Sequence, residues 1–538
     1  MILADDDAAK SPSDVCIVGA GPVGLALAFK LEALGLTVTL LEMGEEEADT
    51  SALRGQVEFR NSHHASSTAM SRPGIGGTSA LWGGRCVELD DLDFDLRDHV
   101  PHSGWPIRHA ELSRYYKEAL GFLGCSTREL DLFQLAVSDQ TVSPSSIERW
   151  SREPSLGKLY ALRLVSSQNI RVLSGALVTE VVPEAENACV EYLRVRRHDR
   201  EFEVRAKSYV LAGGGLENTR LLLALGRRSP AIANAFGPAL GVFYQGHLTG
   251  YIATIQLNDP SEAASLAFRK DEDGLIYKQR LQIAPAVQLE HQLLNTVFWI
   301  DPISIADPEH NSGAFSICYL FLSSIGLYRF VSKGLAPSSK GVSGSNRKRH
   351  WGNVREDLKS PLKLFRTIRS MLRAGLHDKR TLINPKGRYL LRYHSEQVPA
   401  AESHVSLQSS GSSDRRGGLL VDYRVTTQDL DSVVRSHQII DEWLRRNELG
   451  KLDYLHEPEQ RREAVADQAL DGFHQIGLAR MASHPSDGPI NPDCRLWGMS
   501  NLYVAGSCLF PTGSHANPTL PAVALALRLA DHLRELND

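Results

Sequence analysis

A mixed α/β fold is predicted for this chain. It pairs a Rossmann-like parallel sheet and its β-meander with a second, α+β domain built on a mixed or antiparallel β-sheet. Three observations predict it. Residues 14–43 read as strand, glycine-rich turn, helix and strand; residues 170–211 alternate like short β-strands; and 538 residues are too many for a single hydrophobic core, which implies two domains sharing a cleft.

Composition narrows the class. With 42% hydrophobic and 23% charged residues the chain has the make-up of a globular enzyme. A net charge of −5 gives no reason for a nucleic-acid partner. Seven cysteines without a CxxC pair argue against a disulfide framework or a zinc site and fit a reducing, cytoplasmic compartment. The start, MILADDDAAKSPSD, lacks the basic residues and apolar run of a secretory signal. No apolar stretch reaches the ~18–20 residues of a membrane span. The nearest, residues 316–331, reads as a buried strand, and membrane contact is not expected.

In the first element, Val15 to Val18 forms an apolar run typical of a buried parallel strand, followed by Gly19, Gly21 and Gly24 in the pattern G-x-G-x-x-G. Gly19 permits the tight turn, Gly21 lets backbone approach a pyrophosphate, and Gly24 lets helix and strand pack closely. The helix N-terminus then offers free amides and partial positive charge to the phosphates. A second strand, 37–41, ends in Glu42, placed to accept hydrogen bonds from ribose hydroxyls. The unit predicts a dinucleotide without separating NAD from FAD.

The second element is SRPGIGGTSALWGGRCVELDDLDFDLRD, residues 71–98. Five glycines in the eleven positions from Gly74 to Gly84 exclude a regular element and let backbone approach a ligand. This block resembles the second signature of the glucose-methanol-choline (GMC) oxidoreductases, FAD enzymes that oxidise alcohols. The next segment, SGWPIRHAELSRYY (103–116), is similar to the one that succeeds that signature in the family. The resemblance implies FAD as cofactor, with Gly77, Thr78, Ser79 and Trp82 facing the flavin. In relatives similar to pyranose 2-oxidase a histidine of this loop holds the flavin covalently. This chain has Ala80 and Leu81 at that place, so a non-covalent FAD is expected.

Farther on, IRVLSGALVTEVV, CVEYLRVRR and FEVRAKSYVLAGG (170–214) read as a meander that ends at a strand-to-helix turn around Gly213. The resemblance implies that this turn returns the chain to the FAD sheet and that Val178 packs the adenine; by its own pattern Val178 is a core residue. The segment EQVPAAESHVSLQSS…GGLLVDYRVTTQDLD (396–431) resembles a ribbon of the pyranose-oxidase-like branch. The domains expected are an FAD-binding unit from residues 1–100, 155–250 and 470–538, and a substrate unit from 101–154 and 251–469, with a lid loop at 332–352. A basic run at 345–352 is followed by a helix expected around 361–376, with Leu362, Phe365, Ile368 and Leu372 on one face and Lys363, Arg366, Arg369 and Arg373 on the other. It reads as a surface helix with solvated charges, a pattern that also docks on anionic membranes or acceptor proteins.

The chemistry is expected at the C-terminal end. His474 lies in HxxGxxRM and Asn517 in the loop HANPT, 517 − 474 = 43 residues later, a spacing similar to the catalytic pair of the GMC family. Oxidising an alcohol needs a base at its oxygen while the carbinol hydride leaves. Neutral histidine serves near pH 7, and an asparagine amide steadies the developing alkoxide. The resemblance also places Gly506, Ser507, Pro518 and Thr519 against the flavin. His515 is the competing histidine, Cys508 is a packing residue, His63–His64 and the group His99, His102 and His109 lack metal-ligand spacing, and no metal is expected. The function implied is FAD-dependent oxidation of a hydroxyl on a sugar, glycoside or aminoglycoside, with oxygen, a quinone or a carrier as electron acceptor. A non-redox FAD lyase and oxidation of a non-sugar alcohol are the alternatives.

Overall fold

The computed structural model describes residues 11–45, 57–130, 132–133, 137–184, 189–324, 346–374, 383–408 and 416–537. Its first layer is a parallel sheet whose strands lie in the order Leu502–Val504, Ala206–Leu211, Ser13–Val18, Val38–Glu42 and Ile170–Ser174. Both faces are covered, so the strands are apolar throughout: Val15, Cys16 and Ile17 are fully buried. Helices Pro22–Ala33 and Thr519–Glu535 pack against each other on this sheet, joining the two ends of the sequence. Burying one leucine or isoleucine here is worth about 1.5–3 kcal/mol.

The expected meander over 170–211 divides. Its middle, Leu177–Pro183, Val190–Arg197 and Arg200–Val204, forms a three-stranded antiparallel sheet, whereas its first and last strands join the parallel sheet. Alternation shows which residues are half-buried, but not which strand pairs with which.

A second, antiparallel sheet runs in the order Gly450–Tyr454, His247–Leu257, Arg388–Glu396, Thr296–Asp301, Ile276–Ile283, Val142–Trp150 and Arg85–Cys86, with the short Arg269–Lys270 paired to the start of Ile276–Ile283. Helix Thr427–Arg446 covers it with Val433, Ile440 and Trp443. Its start is fixed by a capping box between Thr426 and Asp429, a device worth about 1 kcal/mol. A small third sheet pairs His404–Leu407 with Leu419–Asp422 and, in parallel, Val57–Phe59.

Of the strand expected over 316–331, residues 316–324 belong instead to the helix Gly313–Ser324, and 325–331 lie outside the described residues. Phe315, Ser316 and Tyr319 are buried while Phe321 is exposed, a one-sided pattern that a short apolar run cannot announce. Of the expected lid, residues 332–345 lie outside the described residues, and 346–352 open helix Asn346–Asp357.

Candidate active site

A cleft with about 1570 Å³ of space not filled by protein atoms runs from the glycine-rich turn to His474. At its dinucleotide end the backbone does the shaping. Gly19 has φ +106°, and a Cβ there would lie 2.6 Å from the carbonyl oxygen of Ala212. At Gly24 a Cβ would stand 1.9 Å from Gly19 O, so helix and turn touch only because both residues lack side chains. Around Gly21 a Cβ would meet nothing within 4 Å, since this residue faces open space. The Glu42 carboxylate accepts the amides of Ala20 (2.9 Å), Gly44 (2.9 Å) and Gly74 (2.8 Å). Burial pushes its carboxyl up, against those three bonds.

The other end is assembled from side chains. Ser507 Oγ donates to Gln475 O (3.0 Å), and the amides of Ala479 and Met481 donate to the carbonyls of Cys508 and Leu509 (3.0 and 2.7 Å). These bonds lay the HxxGxxRM segment along the C-terminal loop, bringing Asn517 Nδ2 to 3.4 Å from His474 Nε2. On its other side His474 Nδ1 is 3.0 Å from Asp471 Oδ2 and 3.0 Å from His247 Nδ1. The network assigns the protons: Asp471 only accepts, so His474 carries its proton on Nδ1, and Nε2 keeps a lone pair toward the Asn517 amide. His247 then accepts on Nδ1 and donates from Nε2 to Gly513 O (3.4 Å).

Asp471 is buried, yet it accepts five hydrogen bonds. Oδ1 takes the amides of Gly472, Phe473 and His474, and Oδ2 takes the His247 amide (2.6 Å) and the His474 ring. Burial works to raise its carboxyl, but the facing imidazoles and these bonds hold it down at about 2. Burial foremost, then His474, pushes His247 down to about 3. His394 lies on the neighbouring strand with its ring stacked 4.4 Å from that of His247, and burial holds it neutral as well. One nitrogen from each of His247, His394 and His474 falls within 4.8 Å of the others.

Two family models match this chain: that of the GMC oxidoreductases over residues 399–526, and that of an FAD-binding domain over residues 12–60. Residues 399–526 thus carry a GMC oxidoreductase domain. Its cofactor is FAD. The C-glycoside 3-oxidase of Arthrobacter globiformis is 34% identical over 117 residues, about a fifth of either chain (21%). The 6'''-hydroxyparomomycin C oxidase of Streptomyces lividus is 22% identical in an alignment covering 97% of this chain and 92% of that one. A fungal aryl-alcohol oxidase shares the fold, with TM-score 0.52 and 15% identity over 98% of this chain and 100% of the other.

Gly19, Gly21, Glu42, Gly77, Thr78, Val178, Gly213, Gly506, Ser507, Pro518 and Thr519 line the cleft together with His474. These residues fit FAD: glycine backbone and a helix N-terminus at one end, and at the other the Asn517 Oδ1, a buried acceptor without a hydrogen-bond partner.

Trp82 and Ser79 are held by hydrogen bonds to their own surroundings. The Trp82 indole donates to Pro154 O (2.7 Å), and the Ser79 hydroxyl donates to Gly76 O (2.5 Å) and accepts from the Leu156 amide (3.1 Å), so both hold the loop's shape. Gly24 serves helix packing as described. Leu81 is about half exposed, off the cleft. Cys508 is buried and its thiol pushed up to about 11.

His515 turns away from His474: its Nε2 is 3.0 Å from Asp90, and Arg280 donates to its Nδ1 (3.0 Å). That pairing anchors the loop and leaves Asn517 as the member facing His474. Glu396 and Gln397 of the ribbon also gain roles. Glu396 holds Arg97 by two bonds (2.8 and 2.6 Å), and Gln397 accepts the Gly246 amide (2.8 Å) just before His247. Sequence reasoning missed Asp471, His247 and His394. An Asp three residues before the base, D-x-x-H, was the one local signal available.

Proposed function

We propose that the chain oxidises the CH–OH group of a sugar, glycoside or aminoglycoside, with His474 as the base. The observation that carries this reading is the assigned proton on His474 Nδ1: the ring presents an unprotonated Nε2 beside the Asn517 amide. A hydroxyl placed there gives its proton to Nε2, and Asp471 steadies the imidazolium that forms. A positioned base of this kind contributes about 10²–10⁴-fold. Asn517 Nδ2 donates to the oxygen as negative charge develops on it. FAD, when bound, takes the hydride released by the carbinol carbon. Gly19, Gly21, Glu42 and Val178 hold its dinucleotide part, and Ser507, Pro518 and Thr519 hold its ring system.

Several observations support the finer reading. The sugar and aminoglycoside class rests on what the Arthrobacter and Streptomyces relatives act on by name, together with polar groups of His394 and Asn517 around the base. Residues 1–100, 155–250 and 470–538 act as the FAD-binding unit; 101–154 and 251–469 form the substrate side. Oxygen, a quinone or a carrier takes the electrons onward. The seven unpaired thiols suit a reducing, cytoplasmic setting.

Anaerobic mixing of the holoenzyme with sugars, glycosides, aminoglycosides and simple alcohols tests the proposal. Bleaching of the oxidised flavin band by a polyhydroxylated substrate is expected. A panel that never bleaches it would sink the redox reading, and bleaching by simple alcohols alone would sink the substrate class.

A further inference from the structure

The segment 346–374 departs from the rest of the chain. It holds nine lysines and arginines against two acids, Glu356 and Asp357, a net of +7 in a protein whose whole net charge is −5. It forms two helices, Asn346–Asp357 and Pro361–Ala374.

The first is anchored by one face. His350 stacks on Tyr319 with ring centroids 4.3 Å apart and bonds Ser316 Oγ (3.0 Å). Asn353 donates to Pro308 O (2.9 Å), Val354 is buried, and Asp357 accepts the Gly313 amide (2.6 Å). Positions 350, 353, 354 and 357 are one stripe of a helix. The opposite stripe, Lys348, Trp351, Arg355 and Leu358, is exposed, and Trp351 is 58% accessible. The second helix repeats the arrangement: Leu364 is buried, whereas Leu362 (75%), Phe365 (61%) and Arg369 are exposed. Lys348, Arg355 and Arg369 have no ion-pair partner among the described residues.

We infer that this surface docks on an anionic lipid bilayer, with Trp351, Leu358, Leu362 and Phe365 entering the headgroup boundary and the cations between them meeting lipid phosphates. Amphipathic helices with aromatic and aliphatic tips flanked by Lys and Arg bind in this way. Solvated charge alone explains neither exposed tryptophan nor exposed phenylalanine on the same stripe as the cations. A second copy of the same face would bring +7 against +7.

The test is co-sedimentation of the holoenzyme with vesicles. Binding to phosphatidylglycerol/phosphatidylcholine vesicles is expected at low salt, with none to phosphatidylcholine alone and release near 1 M salt, where screening shortens to about 3 Å. The double substitution Trp351→Ser, Phe365→Ser lowers vesicle affinity by about tenfold or more, as does Lys348→Glu with Arg355→Glu, with FAD content and flavin reduction unchanged. Failure to bind anionic vesicles, equal binding to neutral ones, or a dimer that these substitutions convert to monomer would each overturn the inference, the last by assigning the face to a second copy. None of these outcomes bears on the hydroxyl-oxidation proposal, which the flavin-reduction assay reads separately.

Discussion

The two ends of the cleft are built by different means. At the dinucleotide end one stretch of some thirty residues supplies turn, helix start and acid, and backbone and missing side chains do the work. At the His474 end, Asp471, His247, His394 and Asn517 come from four separate parts of the chain, and tertiary packing fixes which ring nitrogen carries the proton. The first end therefore depends most on its glycines, and the second on side chains brought together from afar.

The sharpest way to break that contrast is His474→Ala. Turnover is expected to fall by about 10²–10⁴-fold while FAD stays bound, measured as kcat alongside flavin absorbance. Next comes Asp471→Asn, which offers an amide donor to His474 Nδ1 and favours the wrong tautomer. A loss of about 10–100-fold in kcat is expected at unchanged flavin content. An unaffected kcat would show that the carboxylate does not orient the base.

On the other side of the comparison, Gly19→Ala forces a Cβ to 2.6 Å from Ala212 O at φ +106°. About tenfold weaker FAD retention is expected by titration of the apoprotein, while kcat of the fully loaded enzyme changes little.

Acid should separate the ends by sign. His247 titrates at about 3 in the fold against 6.5 unfolded, so the unfolded chain takes up a proton that the fold refuses. That contribution is complete above pH 6.5 and is lost as pH falls toward 3, at about 1 kcal/mol per pH unit. Burial instead raises Glu42, whose contribution is complete below the unfolded carboxyl value and lost as pH rises through the higher folded one. Thermal midpoints followed from pH 7 to pH 5 should decline, with a flatter decline in His247→Gln and a steeper one in Glu42→Gln, which removes the opposing contribution. The smallest effect belongs to Trp82→Phe. Loss of its bond to Pro154 O costs about 1 kcal/mol of stability and leaves FAD binding unaltered. A marked loss of flavin would place Trp82 on the cofactor wall.

The sequence by itself determined the dinucleotide unit, the parallel sheet that carries it and the pair His474 and Asn517. The physical reason is locality: G-x-G-x-x-G followed by an acid is a constraint on consecutive backbone, and HxxGxxRM and HANPT are short motifs whose spacing survives in the chain. It misread 316–324, where an apolar run gave burial without period. Only the tertiary structure decided the state of the base. His247 lies 227 positions from His474 and meets it at 3.0 Å because two strands of the second sheet end beneath the C-terminal loop. Likewise, only packing divides the basic helices into an anchored stripe and an exposed one. Proton placement and surface exposure are properties of contacts between distant segments, and no spacing along the chain records them.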